Sequence, residues 1–192
     1  MIDLRIKEFE ENIEKLWNQK ERIVIAIEGG SAAGKTTVAK KIEEKYYCNV
    51  LHMDDFFLRP EQRTKERLEE IGGNVDRERF YEEVVLPLTK GEIIKYQPFD
   101  CQTFALGSVL EIKPDRLTVV EGAYSTHPEL GKYYDLALFL DIDSELQKKR
   151  IIKRNGQKMA ERFFHEWIPM ERKYFEAMNV KEKCDLILTV SE

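Results

Sequence analysis

Residues 22–37 constrain this chain more than any other stretch. Arg22 to Glu28 reads RIVIAIE, a continuous β-branched run of the kind found in a parallel strand covered on both faces. It runs into Gly29-Gly30-Ser31-Ala32-Ala33-Gly34-Lys35-Thr36, which matches GxxxxGK(S/T) without a gap, then Thr37 and a helix-like stretch from Lys35 to Tyr46. A loop of this type turns its backbone N–H groups inward around phosphate oxygens. Its glycines allow both the dihedrals and the close approach. The helix that opens at Lys35 adds the positive end of its dipole. Lys35 is then placed to reach the β and γ phosphates, and the Thr36 hydroxyl to ligate a magnesium ion. The local pattern therefore implies a nucleoside triphosphate site with Mg2+ as its partner ion.

The rest of the chain repeats the same alternation. Short apolar runs at Asn49–Met53, Leu117–Val120, Leu136–Leu140 and Leu186–Val190 are separated by helix-like segments. This predicts an α/β three-layer fold, with a central, mostly parallel five-stranded sheet and helices on both faces. Ile6, Phe9, Ile13, Leu16 and Trp17 recur at helical spacing within residues 3–20, which predicts an amphipathic scaffold helix ahead of the first strand. The stretch 58–115 breaks the rhythm. Gly72-Gly73-Asn74, Pro98 and Gly107 mark turns around two candidate strands, Ile93–Phe99 and Ser108–Ile112, so a small helix and a β-hairpin are expected as an insertion on a single domain spanning 1–192.

Composition closes off other classes. With 31 Lys plus Arg against 36 Asp plus Glu, the net charge is −5, and no global basic field exists to hold a nucleic-acid backbone. The longest apolar runs have five residues, against about 20 for a membrane span. Asp3, Arg5, Lys7, Glu8 and Glu10 leave no apolar signal core, so a cytoplasmic location is expected. Cys48, Cys101 and Cys184 are odd in number and far apart, and read as buried or incidental thiols. His52, His127 and His165 are scattered and support neither a metal site nor a serine–histidine triad.

Neither DxxG nor NKxD occurs, so the small-GTPase pattern is missing, as is an LSGGQ-type transporter signature. Instead, acidic residues end three of the expected strands: Asp54 and Asp55, Glu121, and Asp141. In a parallel sheet, ligands bind at those carboxyl ends. Phosphoryl transfer to an alcohol needs one carboxylate to accept the hydroxyl proton and another to orient hydrated magnesium. Without the phosphate loop, Asp54 and Asp55 would read as an ordinary solvated pair. Asp141 reads as structural, holding the loop beside the phosphate site.

Taken together, GGSAAGKTT, HMDDFFLRP, VVEGAYS, and LALFLDID with the basic helix after it resemble the uridine kinase and phosphoribulokinase superfamily, including its nicotinamide riboside kinase branch, over about residues 20–190. The resemblance implies a P-loop nucleoside-kinase-like fold and an ATP-dependent kinase acting on a nucleoside-like alcohol. It implies Asp54 as catalytic base, Phe56 and Phe57 as shapers of the acceptor pocket, and Glu121 as the magnesium-associated carboxylate. Asn74-Val75-Asp76 resembles the ribose-holding element, although Asp76 fits a helix N-cap equally well. Tyr96-Gln97-Pro98-Phe99-Asp100 resembles the start of a pyrimidine-contacting hairpin, which adds Tyr96 and Phe99 to the acceptor site. Cys101-Gln102-Thr103-Phe104 departs from that pattern by lacking the expected histidine and arginine.

The segment 148–162 holds seven basic residues in fifteen positions. Such a run is usually a solvated helix face. The family places its arginine lid here, which implies Arg150 and Arg154 as catalytic phosphate ligands and Arg162 as a nucleotide contact. Met159, Phe163, Trp167, Met170, Tyr174 and Met178, at steps of three and four, predict core packing. The expected partner is a small-molecule acceptor, not nucleic acid or membrane, and a homo-oligomer is compatible with the sequence. Nicotinamide riboside, pantothenate or a sugar phosphate are alternative acceptors, and a non-catalytic nucleotide-binding regulatory module is the reading from another class.

Overall fold

The computed structural model describes residues 2–191, with side chains over 6–191, so those of Asp3 and Arg5 lie outside the described residues. Helix α1 (Ile2–Gln19) leads into β1 (Ile23–Gly29), the phosphate loop, α2 (Lys35–Tyr46) and β2 (Asn49–His52). The insertion carries α3 (Lys65–Glu69), α4 (Arg77–Phe80), a π-helical segment (Tyr81–Val85), α5 (Leu86–Lys90), and strands β3 (Ile94–Tyr96), β4 (Phe99–Asp100), β5 (Ala105–Leu106) and β6 (Leu110–Ile112). Then follow β7 (Leu117–Glu121), β8 (Leu136–Ile142), α6 (Ser144–Arg162), a second π-helical segment (Phe163–Trp167), α7 (Ile168–Ala177), α8 (Val180–Lys183) and β9 (Leu186–Val190). No helix among the described residues is long and apolar enough to cross a membrane.

The five-stranded sheet has the order β2-β7-β1-β8-β9, and every neighbouring pair in it is parallel. This is the fold expected from the alternation. β1 lies at its centre, so the phosphate loop leaves the sheet with β7 on one side and β8 on the other. Period-two alternation divides the core. Ile23, Ile25 and Ile27 join Leu117, Val119 and Leu138 under α1 and α2, burying Phe9 and Ile13. On the opposite face, Val120 and Phe139 pack with Phe56, Phe80, Tyr124 and Tyr174.

Two local expectations need correction. The hairpin is interrupted: β3 pairs antiparallel with β6, and β4 with β5, with a break at Gln97-Pro98. Proline has no N–H to give the ladder, and the break is held instead by Gly107 N–H donating to the Pro98 carbonyl (2.8 Å) and by the Gln97 side chain donating to the Gly107 carbonyl (2.7 Å). The basic segment is not one straight helix. Gly156 has φ 74° and ψ 162°, a glycine-dominated conformation that turns α6 partway along its length.

Glu28 is the one charged residue of β1, and it is fully buried. Its side-chain oxygens accept from the backbone N–H groups of Gly29 (3.0 Å), Tyr124 (3.0 Å) and Thr126 (3.1 Å), and from the hydroxyls of Thr126 (3.1 Å) and Tyr174 (3.3 Å). It thereby ties the start of the phosphate loop to the turn after β7 and to α7. Burial pushes its pKa up to about 7, and the Gly29 and Thr126 N–H groups and the Lys35 charge only partly offset this. A carboxyl whose folded pKa exceeds its unfolded value of 4.5 stabilises the fold fully below that value and loses the contribution as pH rises through about 7. The unfolding free energy of the wild type, measured against Glu28→Gln in urea, is expected to fall by about 2–3 kcal/mol from about pH 5 to about pH 7.5. A flat difference over that range would mean the carboxyl is ionised throughout.

Candidate active site

One cavity of about 830 Å³ runs along the carboxyl ends of the strands, bounded by the phosphate loop, the turn after β2, the hairpin tip and α6. Ser31, Ala32, Ala33, Gly34, Lys35, Thr36 and Thr37 line it, with Asp54, Phe57, Phe99, Glu121, Arg150, Arg154 and Arg162. Most of the expected site is therefore brought together. Gly29 and Gly30 lie behind the loop. A Cβ on Gly29 would meet the Leu140 carbonyl at 2.5 Å, so packing against β8 requires glycine there. Gly34 has φ 103° and caps α2.

The loop is held from outside. Lys35 Nζ donates to the carbonyls of Gly29 (2.8 Å) and Gly30 (2.9 Å). From α6, Gln147 donates to the Ser31 carbonyl (2.8 Å), and Arg150 to those of Ala32 (3.1 Å) and Ala33 (3.4 Å). From α7, Glu171 accepts from Ser31 N–H (2.9 Å) and the Ser31 hydroxyl (2.6 Å). Burial raises the pKa of Glu171, while Lys35 and the two Ser31 bonds lower it. Neither Gln147 nor Glu171 was signalled by the sequence, because each acts across more than a hundred residues.

Thr36 and Glu121 meet directly, with the threonine hydroxyl donating to Glu121 Oε1 at 3.0 Å. The same oxygen lies 2.6 Å from His52 Nδ1, and this bond to Glu121 is the main cause of the raised His52 pKa. His52 thus orients Glu121, a role hidden in the sequence by its distance from any other histidine.

The two aspartates after β2 separate cleanly. Asp55 accepts from the Tyr96 hydroxyl (2.8 Å), while its carbonyl takes a bond from Arg79 (2.9 Å). Asp54 faces the cavity, and its carboxylate has no hydrogen bond or ion pair among the described residues. Asp54 is exposed to the open cleft, and the protein around it still raises its pKa, chiefly by desolvation, against the pull of Lys35 and with a further push from Glu121. Its turn is fixed from below by Phe56, fully buried, which packs edge-on against Phe80 at 5.0 Å and under the Arg79 guanidinium at 4.2 Å.

Several expected residues stand elsewhere. Asp76 is buried off the cavity wall. It caps α4 through Arg79 N–H (3.2 Å) and accepts from the Gln62 amide (2.8 Å), so its helix-cap reading is the one realised. Tyr96 spends its hydroxyl on Asp55 and does not line the cavity. Asp141 pairs with Lys181, far from any role in holding the loop. The helical stripe is only partly core: Tyr174 is fully buried, but Met159, Phe163 and Trp167 line the cavity. Arg154 and Arg162 stack over Phe163 (5.6 Å) and Trp167 (5.0 Å).

No family model matches the chain. A uridine kinase from Anoxybacillus flavithermus is 24% identical over 185 residues, covering 88% of this chain and 87% of that protein. A uridine kinase from Halalkalibacterium halodurans is 28% identical over 154 residues, 74% of this chain and 70% of that one. The structure of a possible uridine kinase from Bacillus stearothermophilus superposes with a TM-score of 0.68 at 18% identity, over 94% of this chain and 99% of that one. With its unbroken phosphate loop at the centre of a five-stranded parallel sheet, the chain shares the fold of that structure and is similar in sequence to the uridine kinases among the P-loop kinases.

Proposed function

We propose that the protein transfers the γ-phosphoryl group of ATP to a hydroxyl of a small, nucleoside-like metabolite, with residues 58–115 forming the acceptor side of one domain and 148–162 acting as its lid. One observation carries this reading. Asp54 is a carboxylate without a hydrogen-bond or ion-pair partner among the described residues, raised in pKa, on the wall of the cavity that Lys35 also lines. A proton acceptor of that kind is what transfer to an alcohol requires.

The residues fit the groups the reaction needs. The backbone N–H groups of Gly34, Lys35 and Thr36 at the α2 N-terminus suit phosphate oxygens, while those of Ser31 and Ala33 are held by Glu171 and the Gly30 carbonyl. Thr36 and Glu121 give one hydroxyl and one carboxylate, the sparse oxygen set that suits Mg2+ shared with phosphates. Bound there, the ion would neutralise charge on the transferring group. Lys35 and Arg150 now rest on loop carbonyls and would turn to phosphate oxygens, while Gln147 and Glu171 keep the loop's shape. Arg154 and Arg162 come from either side of Gly156 and would close on the same phosphates. Asp54 would take the proton of the attacking hydroxyl, beside Phe57 and Phe99.

A second reading, an acceptor without a nucleoside's ribose diol, draws support from Asp76. Its carboxylate is occupied by Gln62 and Arg79 and sits off the cavity wall.

Asp54→Asn is expected to lower kcat for acceptor-dependent ADP release by about 10²–10⁴ with little change in ATP binding. Asp55→Asn should instead act mainly on stability, through Tyr96. If Asp55→Asn cripples turnover and Asp54→Asn is mild, the base has been misassigned. For the lid, Gly156→Ala meets no steric obstacle but forces a non-glycine residue into φ 74°. It should cost about 1–3 kcal/mol locally and lower kcat more than it weakens ATP binding. Unchanged steady-state kinetics would make the turn irrelevant to transfer.

A further inference from the structure

The acceptor end of the cavity contains two polar side chains, Arg63 and Asn74, with no hydrogen bond or ion pair from their side chains among the described residues. Of the five arginines in 58–115, Arg59 is bonded to Gln62, Arg67 to Glu78, Arg77 to Glu129 and Arg79 to Glu83. Arg63 has no hydrogen bond or ion pair from its guanidinium among the described residues, and it lines the cavity with Asp54, Phe57 and Phe99. Cys101, exposed at the hairpin tip, lines the same cavity, and the pKa of its thiol is raised chiefly by desolvation and to a smaller extent by Asp54, while Arg63 lowers it. The second side chain is Asn74. It is 4% exposed, it lines the same cavity, and its buried Oδ1 has no hydrogen-bond partner among the described residues. Leaving such an oxygen unpaired is costly. Its position is held firmly: Arg67 grips the flanking carbonyls of Gly73 (3.1 Å) and Val75 (2.9 Å), and Val75 bridges to Phe57.

We propose that the acceptor is a hydroxyl compound bearing an anionic group, a carboxylate or a phosphate, which Arg63 binds while Asn74 Oδ1 accepts a hydrogen bond from one of its hydroxyls. This rests on the kinase reading and narrows it. A guanidinium matches both anions in a bidentate way, and Arg63, half-buried beside Phe57 and Phe99, has no protein anion to pair with among the described residues. Such a site rejects the analogue that lacks the group.

The test uses matched pairs that differ by one anionic group: D-glycerate and glycerol, ribose 5-phosphate and ribose, orotidine and uridine. Binding is measured by calorimetry on the full chain with a non-hydrolysable ATP analogue and Mg2+, and ADP release is measured in parallel with ATP. At least one anionic member should bind 10-fold or more tightly than its neutral partner, and which pair does so distinguishes carboxylate from phosphate. Arg63→Gln should abolish that preference, acting on KM far more than on kcat, and Arg63→Lys should restore part of it. The proposal is overturned if no anionic member gains 10-fold over its partner, or if Arg63→Gln weakens both members equally. If anionic members bind through Arg63 yet none raises ADP release, the anion site stands and the kinase reading fails.

Discussion

A loop that turns its N–H groups toward a ligand turns carbonyls the other way, and buried carbonyls need partners. Here the carbonyls find donors in side chains from two elements, Lys35 of α2 and Gln147 and Arg150 of α6, while Glu171 of α7 accepts from the Ser31 N–H and hydroxyl. The sheet supplies the base of the loop, and Glu28 ties that base to the turn after β7. The consequence is mechanical. The shape of the phosphate site depends on α6 and α7 being in place, so the segment that carries the lid arginines also builds the loop those arginines serve.

Partners of opposite kinds divide the labour. Gln147 and Glu171 are buried and meet groups that have no reason to leave. Lys35 and Arg150 hold carbonyls with positive charge, an exchangeable arrangement when stronger acceptors such as phosphate oxygens arrive. On the acceptor side the contrast is between Asp55, Asp76 and Tyr96, whose polar groups satisfy one another or the backbone, and Asp54, Arg63 and Asn74, whose polar groups do not. Unspent polarity inside a cavity is the physical mark of a binding surface.

Local order was legible from the sequence, and long-range pairing was not. β1, the loop and α2 followed from periodicity and glycine placement over adjacent residues, and the parallel sheet followed from the alternation of runs. Asp54 could not be told from Asp55 by chemistry, since the choice is made by the Tyr96 hydroxyl, 41 residues away. Asp76 kept two readings until Gln62 and Arg79 were seen to occupy it. The stripe from Met159 to Met178 reads as continuous core because steps of three and four assume a regular α-helix, and the π-helical segment Phe163–Trp167 lies inside it. Glu28 was visible as a lone carboxylate in an apolar strand, a signal that periodicity alone passes over.

The most direct measurement follows the γ-phosphate itself. ATP labelled in that group with 18O is incubated with the protein, Mg2+ and a pool of nucleosides, hydroxy acids and sugar phosphates, and the products are read by mass spectrometry. The label is expected in a phosphate ester of one hydroxyl compound, in equal amount to the ADP formed beyond the acceptor-free background. Label appearing only as inorganic phosphate, whatever compound is present, would contradict the account.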